Sequence, residues 1–120
     1  MSKYADVYLV PIPEENIPEY KKLATAAGKL FVKHGALKYR EYVALDLEVQ
    51  EVVPFPKRIK LKPGETLVYA AVEFKSEAHR NKVMKAIMKD PAMGTMMEGH
   101  KPPFDYTRMV YGGFKVLVDL

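Results

Sequence analysis

The chain has 120 residues, of which 48% are hydrophobic and 28% charged, a balance typical of one compact domain rather than a disordered tail. It contains no cysteine, which excludes disulfides, thiolate metal sites and a thiol nucleophile. The net charge is only +4, so total charge alone does not indicate a nucleic-acid binder. No apolar run has the roughly 18 residues that a membrane span needs, and the first residues lack the order of a signal peptide, so we expect a cytoplasmic protein.

The first half of the chain predicts a strand, a helix and a second strand. Residues 4–10 are rich in β-branched and aromatic side chains and are followed by two prolines, which indicates a strand that ends near Val10. Apolar residues then recur at helical spacing over 16–34, where Asn16 begins a sequence that resembles a capping box. Strand composition returns over 36–45.

The second half predicts two more strands around a second helix. Between the strands lies a long segment, 46–65, which we expect to form an extended arm or a hairpin. A strand over 66–74 precedes a serine-capped helix over 76–89, and three methionines at helical spacing predict one further turn. The last strand covers 108–120, where a glycine pair indicates a bulge or a close approach. The order β-α-β-β-α-β predicts one α+β domain over 1–120, ferredoxin-like, with an antiparallel four-stranded sheet and both helices on one face.

Period-two alternation predicts which sheet face the helices cover and which is the free face, meaning the face without helices. The helix side receives the apolar residues: Ala5, Val7, Leu9, Val68, Ala70, Val72, Phe74, Val110, Phe114, Val116 and Val118. The free face receives a tyrosine-rich set: Tyr4, Asp6, Tyr8, Leu67, Tyr69, Glu73, Met109, Tyr111 and Lys115. On the second strand we place Arg40 and Tyr42 on the free face. Broad aromatic surfaces of this kind usually mark an interface, so we expect a homodimer in which two free faces pack together.

The same tyrosines and the arginine also predict a pocket for a small organic ligand, between sheet and helix or between two sheets. Arg40 would anchor an anion and the tyrosines would act as orienting donors. The predicted ligand-binding set is Tyr8, Arg40, Tyr42, Tyr69 and Tyr111. The alternative is a non-catalytic interaction or structural dimer, in which dimerisation covers the whole tyrosine-rich face. The pattern indicates no cofactor.

Three histidines are candidates for acid–base chemistry. His79 lies in the first turn of the second predicted helix, where the helix dipole favours the neutral imidazole, so it is the candidate acid or base. A histidine at such a position is more commonly a surface residue without an acid–base role. His34 fits a helix end, and His100 lies in a segment that we expect to be solvated. No spacing of histidines and carboxylates gives a metal-ligand set, so we predict no metal.

The densest basic run covers residues 57–62 and offers a third alternative, a weak nucleic-acid binder. Two apolar residues alternate with the lysines there, as in an amphipathic edge strand protected by charge. Because the chain also lacks an aromatic stacking motif and a phosphate-binding glycine loop, we do not favour nucleic acid as a partner.

Five short segments carry a resemblance to a known family. They are HGALKYRE at 34–41, FP at 55–56, KSEAHR at 75–80, DP at 90–91 and RMVYGGF at 108–114. Together they resemble the YbaA-like family of small bacterial proteins of unknown function, over essentially the whole chain. The resemblance implies a dimeric α/β-barrel, in which two ferredoxin-like sheets face each other. It implies no established activity and no settled catalytic residues.

Overall fold

The computed structural model describes residues 3–99 and 101–120. The helices and strands of these residues are, in chain order, β1 (Tyr4–Pro13), α1 (Ile17–Lys33), β2 (Lys38–Val43), β3 (Glu65–Phe74), α2 (Glu77–Lys89), α3 (Pro91–Met97) and β4 (Val110–Lys115). Short 3-10 turns lie at Glu14–Asn16, Phe55–Lys57 and Tyr106–Arg108. The predicted extra turn after the second long helix is present as α3.

The strands form one antiparallel sheet in the order β2-β3-β1-β4, which is the ferredoxin-like arrangement that the sequence predicts. One sheet face is covered by α1 and α2. The main core lies there, where Leu30, Val83 and Ile87 of the helices pack against Val72 and Phe74 of β3. Within the described residues, no helix combines the length and the apolar character needed to cross a membrane.

β1 is longer than predicted, because it continues past Val10 to Pro13. Its pairing with β4 ends at Leu9, so Pro11 and Pro13 lie where β1 has only β3 as a neighbour. Proline is tolerated in a strand where one side carries no ladder, since its missing N–H then costs no hydrogen bond.

The two predicted helix starts have different outcomes. Ser76 caps α2, because its Oγ accepts a hydrogen bond from the His79 amide at 3.1 Å, as predicted. Asn16 does not cap α1, so the predicted capping box is wrong. Its side-chain amide instead donates to the carbonyl oxygen of Pro103 at 2.9 Å, which joins the start of α1 to the segment before β4.

Of the two forms predicted for 46–65, an extended arm or a hairpin, the hairpin is wrong, and so is the edge strand over the basic run 57–62. Residues 44–64 contain no strand and only the turn Phe55–Lys57, and three prolines in this segment remove backbone donors that a ladder would use. The last strand is also shorter than predicted. β4 ends at Lys115, and after it the Val116 amide still donates to the Lys3 carbonyl oxygen at 2.9 Å.

The pairing register shows that the predicted faces of β1 and β4 are wrong. Tyr8 lies opposite Ala70 of β3 and opposite Tyr111 of β4, and directly opposed residues share a face. The helix-covered face therefore carries Tyr4, Asp6, Tyr8 and Tyr111, and the free face carries Ala5, Val7, Leu9, Val110 and Phe114. The reason is that the even positions of β1 continue into Val10 and Ile12, which are 2% and 0% exposed.

The predicted faces of β2 and β3 are confirmed. Tyr42 lies opposite Tyr69, so Arg40, Tyr42 and Tyr69 share the free face. On the helix side, Val72 and Phe74 are almost fully buried.

Candidate functional site

A cavity of about 880 Å³ lies between α1 and β2. This volume is within the range of about 300–1,000 Å³ that is common for sites of small organic molecules. The apolar part of its lining consists of Ile17, Ala24, Gly28, Val32, Val43 and Val68. A wall of this kind favours a ligand with a substantial apolar body.

Glu41 places a carboxylate in this cavity. It lies opposite Ala70 in the sheet, so its side chain is on the helix-covered face of the edge strand β2. The Tyr20 hydroxyl of α1 donates to Oε1 of Glu41, and the Tyr39 hydroxyl donates to Oε2. Each carboxylate oxygen has two lone pairs, so Glu41 keeps the capacity to accept a further hydrogen bond from a bound molecule.

Both tyrosines are held as neutral phenols. Burial raises the pKa of Tyr20 far above its usual range, and the hydrogen bond to Glu41 raises it further. Burial also raises the pKa of Tyr39, followed by the repulsion between a phenolate and the Glu41 carboxylate. The two hydroxyls therefore remain donors at every physiological pH.

The position of Tyr39 depends on a glycine in α1. Gly28 is buried, and a Cβ at this position would lie 2.7 Å from Cδ1 of the Tyr39 ring. The other contact is with Phe31, whose ring stacks on Tyr39 with 5.6 Å between the ring centres. The absence of a side chain at Gly28 thus leaves room for the Tyr39 ring between β2 and α1, the helix that carries Tyr20.

A second carboxylate on the same sheet face belongs to a separate cluster. Asp6 of β1 is 1% exposed, and its Oδ1 accepts hydrogen bonds from Arg80 Nη1 at 3.1 Å and from the Tyr111 hydroxyl at 2.6 Å. Arg80 also donates to the Tyr111 oxygen at 2.8 Å and lies 5.0 Å from the centre of the Tyr4 ring. This cluster ties α2 to β1 and β4 through an ion pair whose carboxylate is buried and whose guanidinium is partly exposed.

The glycine pair of β4 has a role in this cluster. A Cβ at Gly113 would overlap the hydroxyl of Tyr4, so only glycine leaves room for that side chain. This is the close approach that the glycine pair predicts.

The structure divides the five predicted ligand-binding residues into two groups. Arg40, Tyr42 and Tyr69 lie on the free face, with Arg40 Nη1 3.4 Å from the Tyr42 hydroxyl and 5.6 Å between the rings of Tyr42 and Tyr69. Tyr8 and Tyr111 share the face of the sheet that carries the helices, with 4.9 Å between their ring centres, and Tyr111 is 48% exposed at the sheet edge. Of the five, Tyr42 lines the cavity between α1 and β2.

Burial and the nearby Asp6 charge raise the pKa of Tyr8 to about 12. Burial, followed by the hydrogen bond to Asp6, also raises the pKa of Tyr111 above its usual range. These two phenols are therefore neutral as well, and Tyr111 acts as a donor within the structural cluster.

The histidines make local contacts. His79 accepts a hydrogen bond on Nδ1 from the Lys75 amide at 3.0 Å, while its own amide donates to Ser76, so it is part of the start of α2. Nε2 of His34 lies 2.7 Å from Oδ2 of Asp90. Hydrogen bonds from the Ala92 amide, His34 and Lys33 hold the pKa of the Asp90 carboxyl well below its usual range. His100 lies outside the described residues. The acid–base role of His79 stays a prediction.

Sequence reasoning missed the pairing of Glu41 with Tyr20 and Tyr39. A signal was present, because alternation along the second strand places Tyr39 and Glu41 on the face opposite Arg40 and Tyr42. An acidic residue on the helix side of a strand needs a partner, and Tyr20 was part of the apolar helix pattern.

This fold and cavity define a small ferredoxin-like α+β protein with a site between helix and sheet. The chain belongs to the family DUF1428, described as a protein of unknown function, which matches residues 3–106. It is 33% identical over 117 residues to the uncharacterised protein YbaA of Escherichia coli, covering 98% of each chain. The resemblance to the YbaA-like family is thereby confirmed.

Solved structures with little sequence similarity share the fold. A dimeric ferredoxin-like protein from an uncultured marine organism has a TM-score of 0.56 at 14% identity and covers 100% of both chains. A NIPSNAP family protein of unknown function from Agrobacterium tumefaciens has a TM-score of 0.59 at 12% identity, covering 96% of this chain and 88% of that one. The hydroxynitrile lyase of Passiflora edulis has a TM-score of 0.56 at 10% identity, covering 99% and 97%. At these identities the similarity shows the fold alone.

Proposed function

We propose that this protein is a homodimer that binds a small organic ligand in the cavity between α1 and β2. The observation that supports ligand binding is the position of Glu41, a carboxylate in a largely apolar cavity of about 880 Å³. Its two protein partners are neutral donors, and it has capacity for a third. A fitting ligand has an apolar body and donates one hydrogen bond to Glu41 from a hydroxyl or an N–H group.

The free face supports the homodimer. Its large side chains Tyr42, Tyr69, Val110 and Phe114 are between 40% and 58% exposed. Contiguous apolar and aromatic surface of this kind usually marks an interface, and burying it against a second copy removes it from water. The solved relative from the uncultured marine organism is itself described as dimeric.

In this proposal Arg40, Tyr42 and Tyr69 contribute to the dimer interface, and Tyr42 also reaches the ligand cavity. Their direct role in ligand binding stays a prediction, as it does for Tyr8 and Tyr111. A dimer that binds no ligand is the competing function, and the first experiment below separates the two.

The ligand site is tested with N-phenyl-1-naphthylamine, a neutral apolar fluorophore that carries one N–H donor. Ala24→Leu adds a larger side chain to the cavity wall, and we expect at least about tenfold weaker binding, since overfilling a packed site costs roughly 1–3 kcal/mol. Ala26→Leu is the matched control, because Ala26 lies on the same helix but lines a different cavity, between α1 and α3. Circular dichroism confirms that both variants are folded. Absence of saturable binding, or equal loss in both variants, would refute the site.

The dimer is tested by native mass spectrometry at micromolar concentration. Phe114→Asp places a charge on the free face and should shift the dimer to monomer. Met88→Asp is the control, because Met88 is also exposed, at 68%, but lies on α2 away from the free face. A monomeric unmodified protein would contradict the interface.

A further inference from the structure

We propose that the ligand of the cavity between α1 and β2 is an organic anion, with an apolar body and a carboxylate or similar acidic head held by Lys21 and Lys29. This inference rests on the proposed function and adds the chemical class of the ligand.

The lysines of α1 provide the positive charge. Lys21, Lys29 and Lys33 all line the cavity. Lys21 and Lys29 are eight residues apart, so they lie on one side of the helix about 12 Å from each other along its axis. They frame the part of the cavity from which a charged head can remain in contact with water.

These lysines differ in their partners. Lys33 is already paired with Asp90, with 2.9 Å between Nζ and Oδ2. Lys21 and Lys29 take part in none of the ion pairs between residues of the described ranges. Their charges are therefore the ones available to a ligand.

The opposing charge in the lining is small. Glu41 is the acidic residue of this cavity among the described residues, and two tyrosine hydroxyls donate to its oxygens. Lys21 and Lys29, beside the Lys33 that is paired with Asp90, thus face one carboxylate that already accepts two hydrogen bonds. A cleft lined mainly by one sign of charge attracts the opposite sign, so the cavity favours an anion.

The rest of the lining excludes a small inorganic ion as the best occupant. Ile17, Ala24 and Val68 form an apolar wall that phosphate or sulfate could not cover. An amphipathic acid fits both parts of the lining, because its apolar body covers the apolar wall and its acidic head contacts the lysines.

The test displaces bound N-phenyl-1-naphthylamine with three molecules of equal chain length, each with a terminal hydroxyl that can donate to Glu41: 10-hydroxydecanoate, 1,10-decanediol and 10-amino-1-decanol. We expect 10-hydroxydecanoate to displace the probe at about tenfold lower concentration than 1,10-decanediol, and 10-amino-1-decanol to be the weakest, since two ion pairs with exposed lysines contribute of this order. In the double variant Lys21→Ala with Lys29→Ala, the advantage of 10-hydroxydecanoate over 1,10-decanediol should vanish, while 1,10-decanediol displaces as before.

The control carries the same change in net charge elsewhere. Lys82→Ala with Lys85→Ala removes two exposed lysines of α2 and should leave the advantage of 10-hydroxydecanoate intact. Equal displacement by 10-hydroxydecanoate and 1,10-decanediol, or equal loss in both double variants, would overturn the inference while the proposed ligand site stands. Failure of the probe to bind, or to respond to Ala24→Leu, would instead refute the proposed function.

Discussion

Two carboxylates lie on the same face of the sheet, and their surroundings differ. Asp6 is almost fully buried and is neutralised by the Arg80 guanidinium together with the Tyr111 hydroxyl. Glu41 is half-buried, borders a cavity, and is bound by two neutral tyrosines. Asp6, whose charge is compensated by Arg80, stabilises the fold. Glu41 has only neutral partners and borders the cavity, so it can bind a ligand.

The largest effect is expected from removing the cation of the first cluster. Arg80→Ala leaves the buried Asp6 carboxylate without its counter-charge, and we expect a loss of about 3 kcal/mol in the free energy of unfolding, measured in urea. Adding Asp6→Asn to the same chain should restore part of this loss, because the uncompensated charge is then gone. Arg58→Ala, at an exposed loop position, is the control and should change stability by less than about 0.5 kcal/mol. A loss below about 1 kcal/mol for Arg80→Ala would show that the buried Asp6 carboxylate does not need Arg80 as its counter-charge.

An intermediate effect is expected at the second cluster when its packing is disturbed. Gly28→Ala places a methyl group against the Tyr39 ring, and we expect a loss of roughly 1–2 kcal/mol, since the strain exceeds the helix propensity gained. Gly94→Ala is the matched control, because a Cβ there meets nothing within 4 Å, and it should stabilise α3 by up to about 1 kcal/mol. Thermal unfolding of the two variants side by side gives the comparison. If both glycines respond alike, Gly28 does not position Tyr39.

The last effect is absent at neutral pH, appears only in alkaline solution, and sharpens the distinction between the two carboxylates. The pKa values of Tyr20 and Tyr39 are raised by folding, so the unfolded chain releases these protons near pH 10 while the native chain keeps them. Stability is therefore full below about pH 10 and falls as the pH rises above it, by at most about 1.4 kcal/mol per pH unit for each tyrosine.

Replacing both residues, Tyr20→Phe with Tyr39→Phe, should make this decline shallower in urea unfolding between pH 9 and 11. The double variant Tyr42→Phe with Tyr69→Phe, on the free face, removes the same number of phenols as a control. An unchanged slope in the Tyr20 and Tyr39 variant would mean that these phenols are not held neutral by the fold.

Local pattern was sufficient to predict the order of strands and helices, because strand composition marks β1 and β3 and helical spacing marks α1 and α2. It was not sufficient to orient β1. Both alternating lists of that strand mix apolar residues with tyrosine or small side chains, and the partner of Asp6 is Arg80, 74 residues away. The hairpin alternative for 46–65 was also wrong, because the partial alternation of this segment is outweighed by its prolines.

The cavity is likewise formed by residues that are distant in the sequence. Its polar centre joins Tyr20 from a helix with Tyr39 and Glu41 from an edge strand, and no spacing along the chain indicates that they meet. Sequence alone could predict that an acid on the helix side needs partners, but not which residues supply them. Gly28, which leaves room for the Tyr39 ring, also comes from the helix and not from the strand.

The ion pair between Asp6 and Arg80 also favours one pairing register of β1. A shift of this strand by one residue would carry Asp6 to the opposite surface and bring the apolar Val7 beside the guanidinium. That alternative leaves the partly buried Arg80 cation without its counter-ion, in addition to removing Val10 and Ile12 from the core. The charged pair and the buried side chains thereby favour the same alignment of the central strand with both of its neighbours.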